Sequence, residues 1–382
     1  MNQALSDFAA RLRALIAIGQ PAIAKQQFAE LALDLFALQF RSNSAYRKIC
    51  RAQGATPGSV EHWTQIPIVP TSAFKELELS CIPPEERASV FHSSGTTTQK
   101  PSRHFHGVES LALYEASSWR WFLENVLPDL QFKRGAGGAA GSSPSGNPPP
   151  AIFLTPPPAQ TPRSSLVYML DVVRRRLGAP ATAFVGKINA DGAWELNYDA
   201  LRAALAPGCQ AADAPPLLLL GTAFSFVHLL DWLGEQNLAF KLPPGSRVME
   251  TGGYKNRSRA MSKMELHALI AARLGVPIVN IICEYGMSEL SSQAYDGEKR
   301  NAEGGGRSFC FPPWAAARII SPETGREAAD GQAGLIRVCD LANVFSVAAI
   351  QTEDLGIRRG AGFELVGRAS PAEARGCSLM NA

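Results

Sequence analysis

The segment Ser93-Ser-Gly-Thr-Thr-Thr-Gln-Lys100-Pro101 sets hydroxyls around one glycine and closes on a lysine. Free backbone N–H groups and short O–H donors in such a loop can wrap polyphosphate oxygens, and Lys100 adds a point charge. The loop is not a P-loop, because a second glycine and a Gly-Lys-Ser/Thr ending are missing; a Ser/Thr-rich turn is the alternative reading. Two further segments, Glu284-Tyr-Gly-Met-Ser-Glu289 and Gln351-Thr-Glu-Asp354-Leu-Gly, each carry a carboxylate. Alone, Glu289 or Asp354 would be a solvated carboxylate or a helix cap. Beside strand ends and a phosphate loop, each becomes a candidate for chemistry.

Those loops need elements to hold them. Leu217 to Leu220 is a continuous apolar run, followed by Gly221-Thr-Ala-Phe-Ser and a helix through Trp232. Arg247-Val-Met-Glu250 is a second strand candidate, ending in Thr251-Gly252-Gly253. Ser262-x-x-Glu265 reads as a capping box opening a helix that Gly275 and Pro277 stop. Ile278 to Cys283 is a third strand candidate, running into Glu284-Tyr-Gly. Short apolar strands alternating with helices imply an α/β fold with a parallel-sheet βαβ core. In such sheets ligands bind beyond the carboxyl ends of the strands, so the three loops are expected along one edge. Phe224, Phe226, His228 and Trp232 are pocket candidates after the first of these strands.

The first ~90 residues read as mostly helical, with Phe28 to Phe40 at helical spacing and Met1 to Gly19 amphipathic. Ile66-Pro-Ile-Val-Pro breaks that pattern, and Glu109 to Val126 restores it. Residues 133–150, rich in Gly, Ala, Ser and Pro, read as a flexible insertion before a strand at Ala151-Ile-Phe-Leu-Thr155. Gly135-Ala-Gly137-Gly-Ala-Ala140 imitates a dinucleotide fingerprint but has no strand before it. The division expected is a helical region over 1–90, a catalytic core over 91–368 and a tail over 369–382.

Composition excludes several classes. In 382 residues, 46% are apolar and 19% charged, with a formal net charge of only +3, so no nucleic-acid partner is expected. No run is long and apolar enough for a membrane span. The seven scattered cysteines form no C-x-x-C pair, which argues for reduced thiols and a cytoplasmic protein. The six histidines show no metal-ligand spacing with them.

In combination, the motifs resemble those of the adenylate-forming enzymes. Ser93 to Pro101 is similar to their phosphate loop, Tyr285-Gly-Met-Ser-Glu289 to their Tyr-Gly-x-Thr-Glu motif with Ser for Thr, and Thr352-Glu-Asp354 to their Thr-Gly-Asp motif with Glu353 for Gly. Gly334-Leu-Ile-Arg-Val and Gly367-Arg368 follow the same order, while Thr98 replaces a glycine common in the phosphate loop. Ile66-Pro-Ile-Val-Pro, Glu250-Thr-Gly-Gly-Tyr-Lys, Glu284 to Leu290 and Arg375-Gly-Cys-Ser-Leu379 resemble, more narrowly, the LuxE-type acyl-protein synthetases, with phenylacetate-CoA ligase as the neighbouring family.

The resemblance implies an adenylate-forming N-terminal-type fold without the C-terminal lid domain, since the chain ends soon after Gly367-Arg368. It implies ATP and Mg²⁺ as cofactors and a carboxylic, fatty-type acid as substrate. Ser93, Ser94, Gly95, Thr96 and Thr97 would cradle the phosphates with Lys100. Gly252 and Gly253 would pass the adenine, which Tyr285, followed by Gly286, would stack against. Ser288 would bond the α-phosphate, Glu289 hold the metal, Asp354 accept the ribose hydroxyls, and Arg368 approach ribose or phosphate. Cys377 lies where the acyl acceptor of the LuxE type lies. The tail from Gly367 to Cys377 is ten residues. Extended, it can reach about 33 Å. The acyl group would then pass to an accepting protein, such as an acyl-CoA reductase-type partner or a carrier protein. Two alternatives stand beside this: an acyl-CoA ligase that uses a soluble thiol, and a relative that binds nucleotide or partner without turnover.

Overall fold

Short apolar strands buried on both faces need no alternation of polar and apolar residues, and the runs singled out above are of that kind. The structure, a computed structural model, describes residues 2–19, 23–93, 100–130, 148–179, 182–210, 214–252, 261–297 and 307–369. The chain divides into two units, one made of Met1–Trp121, Met287–Ala294 and Glu298–Ala382, the other of Phe122–Gly286 and Tyr295–Gly297.

In the second unit, strands lie parallel in the order Ile281–Tyr285, Arg247–Thr251, Leu218–Thr222, Ala151–Phe153 and Ala183–Phe184. Helix Ala223–Glu235 starts where the Thr222 side chain accepts from Ser225 N at 3.2 Å. Helix Lys263–Leu274 starts at Ser262, whose Oγ accepts from Glu265 N at 3.1 Å, and ends at Gly275 in the left-handed region, φ 65°. Only the serine half of the expected capping box is among the bonds formed. Leu219, Phe226, Leu229, Val248, Ile270 and Ile281 meet in one apolar core. Trp232 belongs to the same core and stacks on Tyr198 at 5.1 Å, so Phe226 and Trp232 serve packing.

One strand begins later than its apolar run suggests. Ile278–Asn280 forms a 3₁₀ turn after Pro277, closed by Asn280 N donating to Pro277 O at 2.8 Å, and the strand is Ile281–Tyr285. Ile278 and Val279 are about half exposed, so this β-branched pair gains less from burial than the strand residues that follow.

In the first unit, antiparallel strands run in the order Ala315–Ile320, Ala333–Asp340, Ala349–Arg359, Gly362–Arg368 and Ser308–Cys310. Val69–Pro70 adds a parallel partner to Ala349–Arg359. Ser89–His92 pairs with Arg103–His106 as a hairpin, with the phosphate-loop segment between its strands. Helices Gln3–Ile18, Lys25–Ser42 and Ser44–Ala52 account for the helical pattern at the start of the chain. Helix Val108–Val126 matches the expected Glu109–Val126 run. The insertion expected over 133–150 falls mainly outside the described residues, as does Gly135 to Ala140.

Helix Lys25–Ser42 also clamps the buried connection between strands Ala333–Asp340 and Ala349–Arg359. Gln39 Nε2 donates to Asn343 O at 2.8 Å and to Val344 O at 3.3 Å, while its Oε1 accepts from Ala348 N at 3.0 Å. Replacing Gln39 by Ala would take their side-chain partner from the Ala348 N–H and the Val344 carbonyl, while Asn343 O would keep the bond it accepts from Ser346 N at 3.1 Å. Gln39→Ala is expected to cost ~2–3 kcal/mol in urea denaturation. A loss below about 0.5 kcal/mol would mean the clamp contributes nothing.

Candidate nucleotide and acyl-activation site

The register of the parallel strands fixes the level at which their loops begin. Thr222 pairs with Thr251, and Thr251 pairs with Glu284, so the three strands of the second unit end together. The loops after them therefore start along one edge, as the order of elements implied. Thr251 Oγ1 donates to the Glu284 carboxylate within hydrogen-bond reach. Burial pushes the Glu284 carboxyl up to about 7, against the lowering effect of the Thr251 bond, and the nearby Glu250 charge raises it further. Gly252 follows in the left-handed region, φ 71°, with open space where a Cβ would sit. There the backbone conformation, not crowding, is what calls for glycine. Tyr285 is buried at the end of its strand and Gly286 follows it.

Behind these ends lies a second polar layer. His267 Nε2 meets Glu250 Oε1 at 3.1 Å, Lys263 Nζ donates to Asp296 Oδ2 at 2.9 Å, and Asp296 Oδ1 accepts from Cys283 N at 2.6 Å. Every carboxylate of this layer thus has a cationic or N–H partner, as buried charge requires.

The first unit carries motif residues of its own. Ser288 and Glu289 are both buried, and Ser288 Oγ donates to Glu289 Oε2 at 2.9 Å. His104 Nδ1 lies 2.9 Å from Ser288 O. A carbonyl only accepts, so Nδ1 carries the proton and donates. Burial, partly offset by that bond, lowers His104 to about 4, which keeps the imidazole neutral. Asn343 Nδ2 donates to Glu289 O at 2.9 Å. Asp340 accepts from the Ser291 and Ser292 amides at 2.9 and 2.8 Å. Burial still lifts the Asp340 carboxyl to about 6 despite these bonds.

Asp354 stands opposite Arg368 in the strand pairing, and Arg368 Nε approaches Asp354 Oδ1 at 3.7 Å and Glu353 Oε2 at 4.0 Å from Nη1. Asp354 is mostly shielded while Arg368 is exposed, so the guanidinium can swing away and leave the carboxylate to another partner. Lys100 Nζ pairs with Glu76 Oε2 at 3.2 Å on the surface. Ser93 Oγ accepts from Ser102 N at 2.9 Å, joining the base of the loop. Ser94, Gly95, Thr96, Thr97, Thr98, Gly253 and Cys377 lie outside the described residues.

Of the other thiols, Cys50, Cys81, Cys283 and Cys339 are all pushed upward by burial, to about 11 for Cys50 and about 12 for Cys81 and Cys339. Such thiols carry almost no thiolate near neutrality and are poor acyl acceptors.

Sequence reasoning passed over Asp340, Asn343 and His104, and named Thr251 only as part of the segment that ends its strand. Asp340 alone left a signal: a carboxylate at the end of the apolar run Gly334-Leu-Ile-Arg-Val-Cys-Asp340-Leu, where burial leaves a charge in need of donors.

The fold is that of the adenylate-forming ligases. The structure of 2-hydroxyisobutyryl-CoA ligase in an open conformation, in complex with 2-HIB-AMP and CoA, superposes with a TM-score of 0.62 at 14% identity, over 92% of this chain and 76% of that one. The same ligase in its thioesterification state gives 0.60 at 15% identity, over 91% and 68%. Residues 199–382 match the family described as Acyl-protein synthetase, LuxE. The chain is 24% identical over 369 residues to a long-chain-fatty-acid–luciferin-component ligase of Aliivibrio fischeri, covering 92% of this chain and 87% of the relative. It is also 24% identical over 365 residues to the ligase of that name from Vibrio harveyi, covering 93% and 87%. The resemblance to LuxE-type acyl-protein synthetases therefore holds along nearly the whole chain. Among the described residues, no helix is long and apolar enough to cross a membrane.

The raised Glu284 carboxyl makes stability depend on pH in a defined direction. Between the ordinary value of 4.5 and about 7 the folded state holds a proton that the unfolded state has lost, so this contribution falls as pH rises. Glu284→Gln removes the ionisation and keeps an acceptor for Thr251. The variant is expected to match the wild type near pH 5 and to exceed it by up to ~3 kcal/mol above pH 8 in urea denaturation. A constant difference across that range would show that Glu284 ionises freely.

Proposed function

We propose that this protein is an ATP-dependent ligase that activates a carboxylic acid of the fatty class as acyl-AMP and passes the acyl group to a protein thiol. The observation that carries the reading is the joining of motifs in one unit. Ser288 and Glu289 are fastened by Asn343 and Asp340 to the very segment that leads into the strand bearing Asp354. Similarity to the two luciferin-component ligases along 92% and 93% of the chain supports the same reaction class.

In the first step a carboxylate oxygen of the acid attacks the α-phosphorus and pyrophosphate leaves. Two anions meet, so fixed donors and positive charge must offset the repulsion. Ser93 to Thr97 with Lys100 would hold the β- and γ-phosphates, and Lys100 would exchange its exposed Glu76 partner for them. The Ser288 hydroxyl would turn from Glu289 to the α-phosphate, freeing the carboxylate. Asp354 would accept the ribose hydroxyls, with Arg368 released toward ribose or phosphate. Gly252, Gly253, Tyr285 and Gly286 would line the adenine.

The residues fit Mg²⁺ of the kind that nucleotides bring. That ion commonly takes one or two carboxylates plus phosphate oxygens and water. Glu289 is a buried carboxylate whose partner is a hydroxyl, and no group of three or more acidic, His or Cys ligands able to hold a metal occurs among the described residues. Bound there, the ion would offset charge on the phosphates.

In the second step a thiolate attacks the acyl carbon and AMP leaves. Cys377 is the candidate acceptor within the chain, with Arg375 nearby to favour the thiolate, and an acyl-CoA reductase-type or carrier protein is the candidate final acceptor. Incubation with radiolabelled fatty acid and ATP, followed by denaturing gels with and without hydroxylamine, tests this. The label should be hydroxylamine-sensitive, survive in Cys283→Ser and vanish in Cys377→Ser. A label that persists without Cys377 would move the acceptor elsewhere, and transfer to CoA alone would make this an acyl-CoA ligase. Separately, Glu289→Gln should slow pyrophosphate exchange by ~10²-fold or more with the fold intact. Near-normal exchange would remove Glu289 from the mechanism.

A further inference from the structure

Asp340 is fully buried and used by none of the motif roles above. Its Oδ2 accepts from Ser291 N at 2.9 Å and Ser292 N at 2.8 Å, and its Oδ1 from Ser292 Oγ at 2.7 Å and Ala342 N at 3.0 Å. An ionised carboxylate offers about four acceptor sites and no donor, and all four directions here meet donors.

The bonds continue outward with one polarity. Because Ser292 Oγ gives its hydrogen to Asp340, the 3.1 Å contact between Ser117 Oγ and Ser292 Oγ must be donated by Ser117. Ser117 in turn accepts from Trp314 Nε1 at 2.8 Å. The chain Trp314, Ser117, Ser292, Asp340 thus has a single orientation, fixed by a carboxylate that can only accept. A neutral amide at 340 would turn a donor toward Ser291, Ser292 or Ala342 and break that order.

We infer that Asp340, with Asn343, is a positioning residue for the Ser288-Glu289 pair: Asn343 holds the Glu289 carbonyl while Asp340 holds the amides of Ser291 and Ser292, just beyond Leu290. The inference rests on the adenylation reading for its functional meaning, but the geometry belongs to the fold alone. The segment 340–348 also carries Ser346, whose Oγ donates to Leu79 O at 2.7 Å, and it runs directly into strand Ala349–Arg359 with Asp354. Glu289 and Asp354 are therefore set against one rigid connector. Movement of that connector would shift the carboxylate meant for the metal relative to the one meant for ribose. Asp340 acts through this placement and touches no reacting atom.

The test uses the full chain with Asp340→Asn, Asn343→Ala and the milder Ser292→Ala. Three readouts are taken: amide hydrogen exchange at Ser291 and Ser292, Mn²⁺ binding in the presence of a non-hydrolysable ATP analogue, and the Mg²⁺ dependence of acid-driven pyrophosphate exchange. Asp340→Asn and Asn343→Ala should weaken Mn²⁺ binding and raise the Mg²⁺ requirement by ~10-fold or more, with analogue affinity in the absence of metal changing far less. Ser292→Ala, which removes one of the four donors to Asp340, should shift the same quantities in the same direction by less while the protein still folds. Should Asp340→Asn fail to fold, Ser292→Ala and Asn343→Ala decide the matter. Unchanged protection of the two amides, or a loss of nucleotide affinity equal with and without metal, would overturn the positioning role. If the wild type catalyses no exchange at all, the adenylation reading falls, and amide protection with Mn²⁺ binding still decides whether Asp340 sets Glu289.

Discussion

A connection buried between two strands has backbone N–H and C=O groups that no sheet ladder satisfies, and leaving them bare costs several times what a formed bond returns. Segment 340–348 meets that demand partly with backbone bonds, such as Asn343 N to Asp340 O and Ser346 N to Asn343 O, and otherwise with side chains. Gln39 serves Asn343 O, Val344 O and Ala348 N; Asn343 serves Val347 O and Glu289 O; Asp340 serves Ala342 N and, beyond its own segment, Ser291 and Ser292. Because the same groups that satisfy the connection also hold the residues around Glu289, solving a folding problem positions a candidate reactive group.

The second unit solves a related problem with charge. Parallel strands end together at Thr222, Thr251 and Glu284, and burial makes any carboxylate there costly. Glu284 responds by keeping its proton to about 7, whereas Glu250 and Asp296 keep cationic or N–H partners in His267, Lys263 and Cys283 N. The strand ends are thereby polar without being highly charged. The segment proposed to hold phosphate lies instead between Ser89–His92 and Arg103–His106 in the first unit.

Much of this was legible in the sequence because it depends on local rules. Parallel strands declared themselves as apolar runs, Gly275 and Pro277 marked the helix end, and the ordered motifs gave the reaction class. The rest depends on distant partners. Pro277 turns Ile278–Asn280 into a 3₁₀ turn, although the β-branched pair reads as strand. Phe226 and Trp232 look like pocket residues by their place after a strand, yet helix packing directs them into the core. Asp340 and Ser292 are separated by 48 positions, so nothing local announces that one bonds the other. His104 meets Ser288 across 184 positions for the same reason.

The central claim is that these buried, neutral-leaning surroundings serve carboxylate activation. Its most direct measurement is the exchange of labelled pyrophosphate into ATP by the purified full chain, with Mg²⁺ and a panel of fatty and aromatic acids. Activation predicts exchange that requires both metal and acid and varies in rate with the acid supplied. Exchange that is absent with every acid, or that proceeds equally without any, would contradict it.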